Sequence, residues 1–373
     1  MRKLGIGLIG SGFMGRAHAL AFRTVGGVFD LAAVPELEML ADIDAEAAAR
    51  SAASLGFNRS TGDWKALVKD AAVDIVAITT PNALHKPMSL AAIDAGKHVY
   101  CEKPLATTAE DARAMAEAAE AAGVVTMVGF NYLKNPMIGL AQEIVASGGI
   151  GEITGFRGIH AEDFMGDPAI PYSWRCDPAQ AGGALADIGS HIISMARFLV
   201  GDIEAVCGRL DTVIAERPKA AGAAETRRVT VDDQANVLVR FANGAGGTIS
   251  ASWLATGRKM QLAFELTGTR GALEFTQERF NELKLYTTGQ PRGQEGFKTI
   301  TAGPDHPPYG AFCPAPGHQL GFNDLKVIEV KTLIDAITGN GKPFPDFREA
   351  YEVERVVDAV RLSSAESRWV SLS

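Results

Sequence analysis

Residues 4–9 form an unbroken apolar run, which predicts a strand buried on both faces of a parallel sheet. The run passes directly into Gly10-Ser11-Gly12-Phe13-Met14-Gly15, and a helical pattern starts near Arg16. Apolar runs at 37–43, 73–79, 98–101 and 124–128 predict further strands, and Ala-rich stretches at 84–95 and 108–122 predict helices between them. Strand and helix alternating at this spacing imply β-α-β units and a doubly wound parallel sheet. After Asn131 the pattern changes to a helix at 136–147, a strand near 153–159, and a polar loop at 160–180. Alternating strands follow across 204–290, among them 234–241, 247–253 and 261–266, with no helix between them, so the sheet there is expected to be antiparallel. Asn243-Gly244 is a hairpin signal. The fold class is therefore α/β, with domains at 1–130 and 131–373 and a last helix at 348–366 that can pack back on the first.

Each glycine of the first turn has a mechanical task. Gly10 permits the tight turn, Gly12 lets the backbone approach a pyrophosphate, and Gly15 lets the helix close on the strand. The helix N-terminus favours the phosphate charge. Asp42 lies at the end of the second strand, where a carboxylate accepts both ribose hydroxyls of an adenosine and repels a 2′-phosphate, so NAD is expected over NADP. It stands 27 residues after Gly15, against a usual spacing of about 20, with 25–35 read as an inserted loop. Asp44 competes for the role.

The remaining strand ends carry Thr80-Pro81-Asn82, Glu102-Lys103-Pro104 and Asn131-Tyr132, on the rim where such sheets bind ligands. Lys103 precedes a proline that restricts its backbone. A cation held there beside a nicotinamide can bind a substrate hydroxyl and ease its deprotonation; the alternative is a solvated lysine paired with Glu102. The stretch 183–200 reads GALADIGSHIISMARFLV. At 100° per residue Leu185, Ile188, Ile192, Met195, Ala196 and Leu199 share a core-facing stripe. Asp187 and His191 lie opposite, one turn apart, either as a surface pair or as a carboxylate that grips a substrate hydroxyl beside a general base.

Composition narrows the class. The 373 residues include 36 Lys+Arg and 44 Asp+Glu, a net charge of −8, with 47% hydrophobic and 21% charged residues. That is ordinary globular composition, and the acidic balance argues against nucleic acid or an anionic membrane as partner. Four scattered cysteines without a C-x-x-C imply neither a metal site nor a disulfide framework and suit the cytoplasm. Arg2 and Lys3 before an apolar run imitate a short secretory signal, but cleavage there would delete the whole strand–turn–helix motif.

The chain resembles the glucose–fructose oxidoreductase/inositol dehydrogenase (Gfo/Idh/MocA) family. GLIGSGFMGRAH at the start, TTPNALH at 79–85, CEKPLA at 101–106, GFNY at 129–132 and GGALADIGSH at 182–191 carry the likeness over nearly the whole length. GPDHPPYG at 303–310 and LGFNDLKVIEV at 320–330 look more specifically like the levoglucosan dehydrogenase branch. The chain departs from the family in having Ser173-Trp174-Arg175 for W-W-R and Leu133-Lys134 where an arginine is common.

The resemblance implies a Rossmann domain followed by an α/β domain with an open antiparallel sheet. It implies no metal, and hydride transfer to NAD(P) with Lys103, Asp187 and His191 as the catalytic constellation. Cofactor contacts are expected from Gly10, Gly12, Phe13, Met14, Gly15, Asp42, Thr80, Pro81, Asn82, His85, Glu102, Lys103, Asn131 and Arg175. Substrate contacts are expected from Lys103, Trp174, Asp187 and His191.

The expected activity is oxidation of a secondary hydroxyl of a sugar, anhydrosugar, glycoside or inositol by a homodimer or homotetramer. The rival readings are an NAD-retaining enzyme of glycoside cleavage or coupled sugar redox, and a non-catalytic NAD-binding regulator.

Overall fold

The computed structural model describes residues 2–372. Strand β1 (Arg2–Ile9) leads through the Gly-rich turn into helix α1 (Phe13–Val28) and strand β2 (Ala33–Ala41). The extra length between Gly15 and Asp42 is thus not an inserted loop: α1 is 16 residues long and takes up most of it. Helix α2 (Ala45–Leu55) is capped by Asp44, whose Oδ1 accepts the Ala47 N–H at 2.7 Å. Strand β3 (Arg59–Thr61), helix α3 (Trp64–Lys69), β4 (Ile75–Ile78), α4 (His85–Asp94), β5 (His98–Cys101), α5 (Ala109–Ala122) and β6 (Thr126–Val128) complete the series. All strands pair in parallel in the order β3-β2-β1-β4-β5-β6. The order reverses between β1 and β4, and ligands of doubly wound sheets bind beyond the carboxyl ends of strands at such a switch point.

The second set opens with helix α6 (Pro136–Ala146) and strand β7 (Ile153–Ala161). A π-helical turn (Leu185–Gly189) runs into α7 (Ser190–Val200), followed by β8 (Ile203–Asp211) and a two-stranded arm, β9 (Glu216–Pro218) and β10 (Thr226–Arg228). Strands β11 (Gln234–Phe241), β12 (Gly246–Ser252), β13 (Gln261–Gly268), β14 (Gly271–Thr276), β15 (Glu282–Thr287) and β16 (Lys298–Thr301) come next. The short helix α8 (Tyr309–Phe312), helices α9 (Phe322–Ile337) and α10 (Phe347–Glu366), and strand β17 (Val370–Ser371) end the chain.

The large sheet has the order β16-β15-β14-β13-β7-β12-β11-β8-β17. It is mainly antiparallel, as expected, with one parallel pair, β7 with β12. The crossover through α7 gives β8 the direction of β7, and the antiparallel steps from β8 to β11 and from β11 to β12 then bring β12 alongside β7 in parallel. The segment Pro178–Val200 has the length and apolar content of a membrane span, and 89% of that window is buried inside the protein.

The chain divides into two compact units. One takes residues up to Lys134 together with Gly321–Glu352; the other takes Asn135–Leu320 and residues from Val353 onward. The sequence boundary near 130 therefore misses a return: α9 and the start of α10 group with the parallel sheet. Buried pairs such as Tyr100 with Glu329 and Glu102 with Lys326 hold α9 there.

Candidate active site

In the first unit the Gly-rich turn has the geometry its three glycines predict. Gly10 has φ +93°, in the region that favours glycine. A Cβ on Gly15 would stand 2.2 Å from the Gly10 carbonyl oxygen, so only glycine lets α1 approach. A Cβ on Gly12 would meet nothing within 4 Å, which leaves the space above the helix N-terminus open for a pyrophosphate. Phe13 is 73% exposed and stacks on Phe322 at 5.7 Å between ring centres. Met14 follows it, half-buried at the start of the helix.

Asp42 lies one residue past β2. Its Oδ2 accepts the Ser11 N–H at 3.0 Å and the Ser11 hydroxyl, and its Oδ1 accepts the Ile43 N–H at 2.7 Å. Ser51 on α2 donates to the Ser11 oxygen at 2.8 Å, so the carboxylate is fixed from the turn that would hold the pyrophosphate. Asp44 is occupied in capping α2, which favours Asp42 as the ribose acceptor.

Thr80, Pro81 and Asn82 follow β4, with Asn82 buried in a 3-10 turn (Asn82–Leu84). Asn131 is buried, and its Nδ2 has no acceptor among the described residues. An orphaned buried amide costs about 1–3 kcal/mol unless a partner arrives, so it suits a polar cofactor group. Open space at Gly12, a fixed acceptor at Asp42 and a spare donor at Asn131 together fit a dinucleotide.

Two residues expected at the cofactor, His85 and Glu102, also hold partners inside the protein. His85 is fully buried, with Nδ1 2.8 Å from the Pro104 oxygen and Nε2 2.9 Å from the Thr80 oxygen. It ties the two rim loops together. The Glu102 carboxylate also faces inward. Its Oε1 accepts from His18 Nε2 and from Lys326 Nζ, both at 2.7 Å, and its Oε2 lies 3.3 Å from the Lys103 N–H.

Lys326 and the attraction it exerts hold Glu102 well below the usual carboxylate range despite burial. Burial also draws His18 down to about 4, which keeps that ring neutral at physiological pH. Lys103 itself is half-buried, and its bond to Pro104 is cis. Lys134 donates to the Phe344 oxygen at 2.6 Å, and burial lowers its pKa to about 8.

In the second unit Asp187 lies on the π-helical turn and His191 on α7. The stretch is not one regular helix with a solvated polar side: Asp187, Ser190, His191 and Ser194 are all buried. That excludes the surface-pair alternative. Glycine sets the start of the turn. Gly183 has φ +110°, and a Cβ there would stand 2.3 Å from Asp232 Oδ1. Asp232 Oδ2 accepts the Leu185 N–H at 2.7 Å, and burial pushes its pKa up to about 6. π-Helical turns concentrate at functional sites.

Arg175 Nε donates to Asp187 Oδ2 at 3.0 Å, and its guanidinium carbon lies 4.4 Å from the Trp174 ring centre. The expected substrate residue Trp174 and the expected cofactor residue Arg175 thus both gather at Asp187. His160, on β7, has its ring centre 5.5 Å from that of His191. Its Nδ1 is 2.8 Å from the Ile188 oxygen and its Nε2 is 3.0 Å from Glu162 Oε1.

Sequence reading missed His160, Asp232 and Lys326. Their signals were faint: a histidine at an inward position of a strand, an Asp-Asp pair before β11, and two charges three apart in the apolar run LKVIEV.

Comparison with known proteins adds to this geometry. A family model described as "Oxidoreductase family, NAD-binding Rossmann fold" matches residues 4–130, and one described as "GFO/IDH/MocA C-terminal domain" matches 138–274. Levoglucosan dehydrogenase of Pseudarthrobacter phenanthrenivorans is 40% identical over 385 residues, covering 100% of this chain and 99% of its own. D-apiose dehydrogenase of Paraburkholderia graminis is 28% identical, covering 98% and 88%. The solved structure of levoglucosan dehydrogenase in complex with NADH and L-sorbose has a TM-score of 0.97 at 40% identity, covering all of both chains. An NAD-binding oxidoreductase from Klebsiella pneumoniae has a TM-score of 0.95 at 46% identity, covering 100% of this chain and 99% of its own.

Proposed function

The chain belongs to the GFO/IDH/MocA oxidoreductase family and is an NAD-dependent dehydrogenase of sugars, and we propose that it oxidises one secondary hydroxyl of an anhydrosugar such as levoglucosan. The bound nicotinamide accepts the hydride. His191 takes the hydroxyl proton, a role suited to a group whose proton affinity lies near neutral pH. Lys103 binds the same oxygen as negative charge develops on it. Asp187 accepts a hydrogen bond from a neighbouring hydroxyl, and Trp174 offers an apolar face to the sugar ring.

The observation that carries this reading is the buried Asp187 carboxylate, held by Arg175 close in sequence to a buried histidine. A buried charge is retained only where it is paired and hydrogen-bonded, and hydroxyls of a polyol supply such bonds. Lys103, Asp187 and His191 together favour a catalyst over a cofactor-binding regulator, which needs no base.

The test is a panel of anhydrosugars, pyranoses, glycosides and inositols, each incubated with NAD while absorbance of NADH is followed. Stoichiometric NADH from levoglucosan, with slower or no formation from inositols, is the expected result. Turnover of sugar without NADH release would move the protein to the cofactor-retaining class. Reduction of NADP in preference to NAD would remove the assignment of Asp42.

We also propose cytoplasmic residence and a homodimer or homotetramer built through the outer face of the large sheet. Arg157, Glu265, Thr154 and Thr248 line grooves on that face, and their mixed polarity suits a contact between two copies. Light scattering of the purified protein decides the oligomeric state.

A further inference from the structure

We propose that Lys326 is a positioning residue for Lys103, acting by neutralising the Glu102 carboxylate that would otherwise take the Lys103 ammonium as its counter-ion. The proposal rests on the reading above in which Lys103 binds the reacting oxygen.

Lys326 projects from α9 and is completely buried. An ammonium has three donors, and three oxygens surround this one. They are Glu102 Oε1 at 2.7 Å, Glu329 Oε2 at 2.9 Å and the Tyr100 hydroxyl at 3.3 Å. Tyr100 in turn donates to Glu329 Oε2. Two further neighbours crowd Oε1 of Glu102, while Oε2 faces the Lys103 backbone. His18 Nε2 donates to Oε1 from α1, and a Cβ on Gly129 would lie 2.6 Å from that oxygen. Since His18 Nε2 must carry the proton it donates, Nδ1 is bare, and it has no partner among the described residues.

Charge bookkeeping then singles out Lys326. His18 is neutral at physiological pH, so it supplies a hydrogen bond to Glu102 but no positive charge. Tyr100 is kept protonated by burial and by the two carboxylates. Burial raises the proton affinity of Glu329, whereas Lys326 holds that of Glu102 down. Lys326 is thus the ammonium that both buried carboxylates face, at 2.7 Å from Glu102 and 2.9 Å from Glu329.

Without the ammonium, Glu102 would be an uncompensated buried charge, which proteins avoid by finding another partner. The adjacent residue in the chain is Lys103, whose N–H already points at Glu102 Oε2. A Lys103 ammonium drawn to Glu102 no longer serves the substrate oxygen.

The experiment uses the full chain with NAD and levoglucosan, comparing wild type with Lys326→Met, Glu102→Gln/Lys326→Met and Lys103→Met. Lys326→Met is expected to lower kcat about thirtyfold, with KM for NAD within about twofold. Adding Glu102→Gln removes the competing carboxylate and should recover at least tenfold of that loss. A purely structural role would lower the melting temperature without this rescue in kcat.

If Lys326→Met does not fold, the double variant carries the test: a kcat of at least a tenth of wild type supports the proposal, and a hundredfold loss overturns it. Failure of both to fold also overturns it, since the quartet would then serve folding alone. Lys103→Met separates the two levels of argument. If it keeps wild-type kcat, the role of Lys103 fails and this inference with it. If it loses kcat while Lys326→Met does not, only this inference fails.

Discussion

Arg175 Nε donates to Asp187 Oδ2 at 3.0 Å, and the pair sits where the π-helical turn presents its carboxylate. The guanidinium is also held over the Trp174 ring, so one side chain orients both the acidic and the aromatic residue proposed for sugar binding. Arg175→Met should therefore raise KM for levoglucosan about tenfold and leave the dissociation constant for NAD within about twofold. Titration of NADH fluorescence measures the second quantity. A weakened cofactor with unchanged sugar KM would instead place Arg175 at the dinucleotide.

His191 carries the proton in the proposed reaction. His191→Ala should lower kcat by about 10²–10⁴-fold, the usual share of general base catalysis. NAD affinity should hold, and raising the pH should restore part of the rate by supplying more alkoxide. Combining His191→Ala with Lys103→Ala should cost far less than the product of the single losses, because both act on one oxygen. Near-wild-type kcat in His191→Ala at saturating sugar would assign the base to another group.

Asp42 is held by Ser11, and Ser11 by Ser51. Asp42→Ala should weaken NAD about tenfold and improve the ratio of kcat/KM for NADP over NAD. Ser51→Ala should move the same ratio in the same direction by a smaller factor, since it only loosens the support. Parallel kinetics with both cofactors show whether the order holds.

Asp232 caps the π-helical turn with a pKa raised to about 6 from an unfolded value of 3.8. The folded state therefore binds the proton more tightly than the unfolded chain does. The associated stability is fully present below about pH 4 and is lost as pH rises through 6, and at neutral pH the ionised form costs about 3 kcal/mol. Asp232→Asn keeps an acceptor for the Leu185 N–H and cannot ionise. The difference in melting temperature, variant minus wild type, should rise between pH 4 and 6.5 and then level off. A difference flat across that range contradicts the raised pKa. His18 tilts the wild-type curve the other way, because its pKa of about 4 means stability gained as pH rises through that value toward 6.5.

The parallel sheet was legible because its determinants are local. Buried strands read as apolar runs, and strands predicted at 98–101 and 234–241 coincide with those found. The Gly10, Gly12 and Gly15 roles were legible for the same reason, since each depends on atoms a few residues away. What escaped the sequence depends on distant partners. The polar side of α7 looked solvent-facing by helical period, yet it is buried, with Arg175 at Asp187 and His160 beside His191. The π-helical turn follows from Gly183 and the Asp232 cap, 47 residues downstream of the Leu185 N–H it accepts. Charged residues misled in the same way. Glu102 resembles a rim carboxylate until α9 brings Lys326 to it.

Glu102 and its counter-ion are 224 residues apart in the chain. Synthesis at about 5–20 residues per second separates them by roughly 10–45 s. For most of that interval the growing chain holds the whole parallel sheet, and Glu102 and Tyr100 have no Lys326 ammonium to meet. The Rossmann half is thus complete in strands long before it can close its own interior. Ribosomes stalled near residue 320 should display a nascent sheet still open to protease at β5, and protection should arrive only once α9 has emerged.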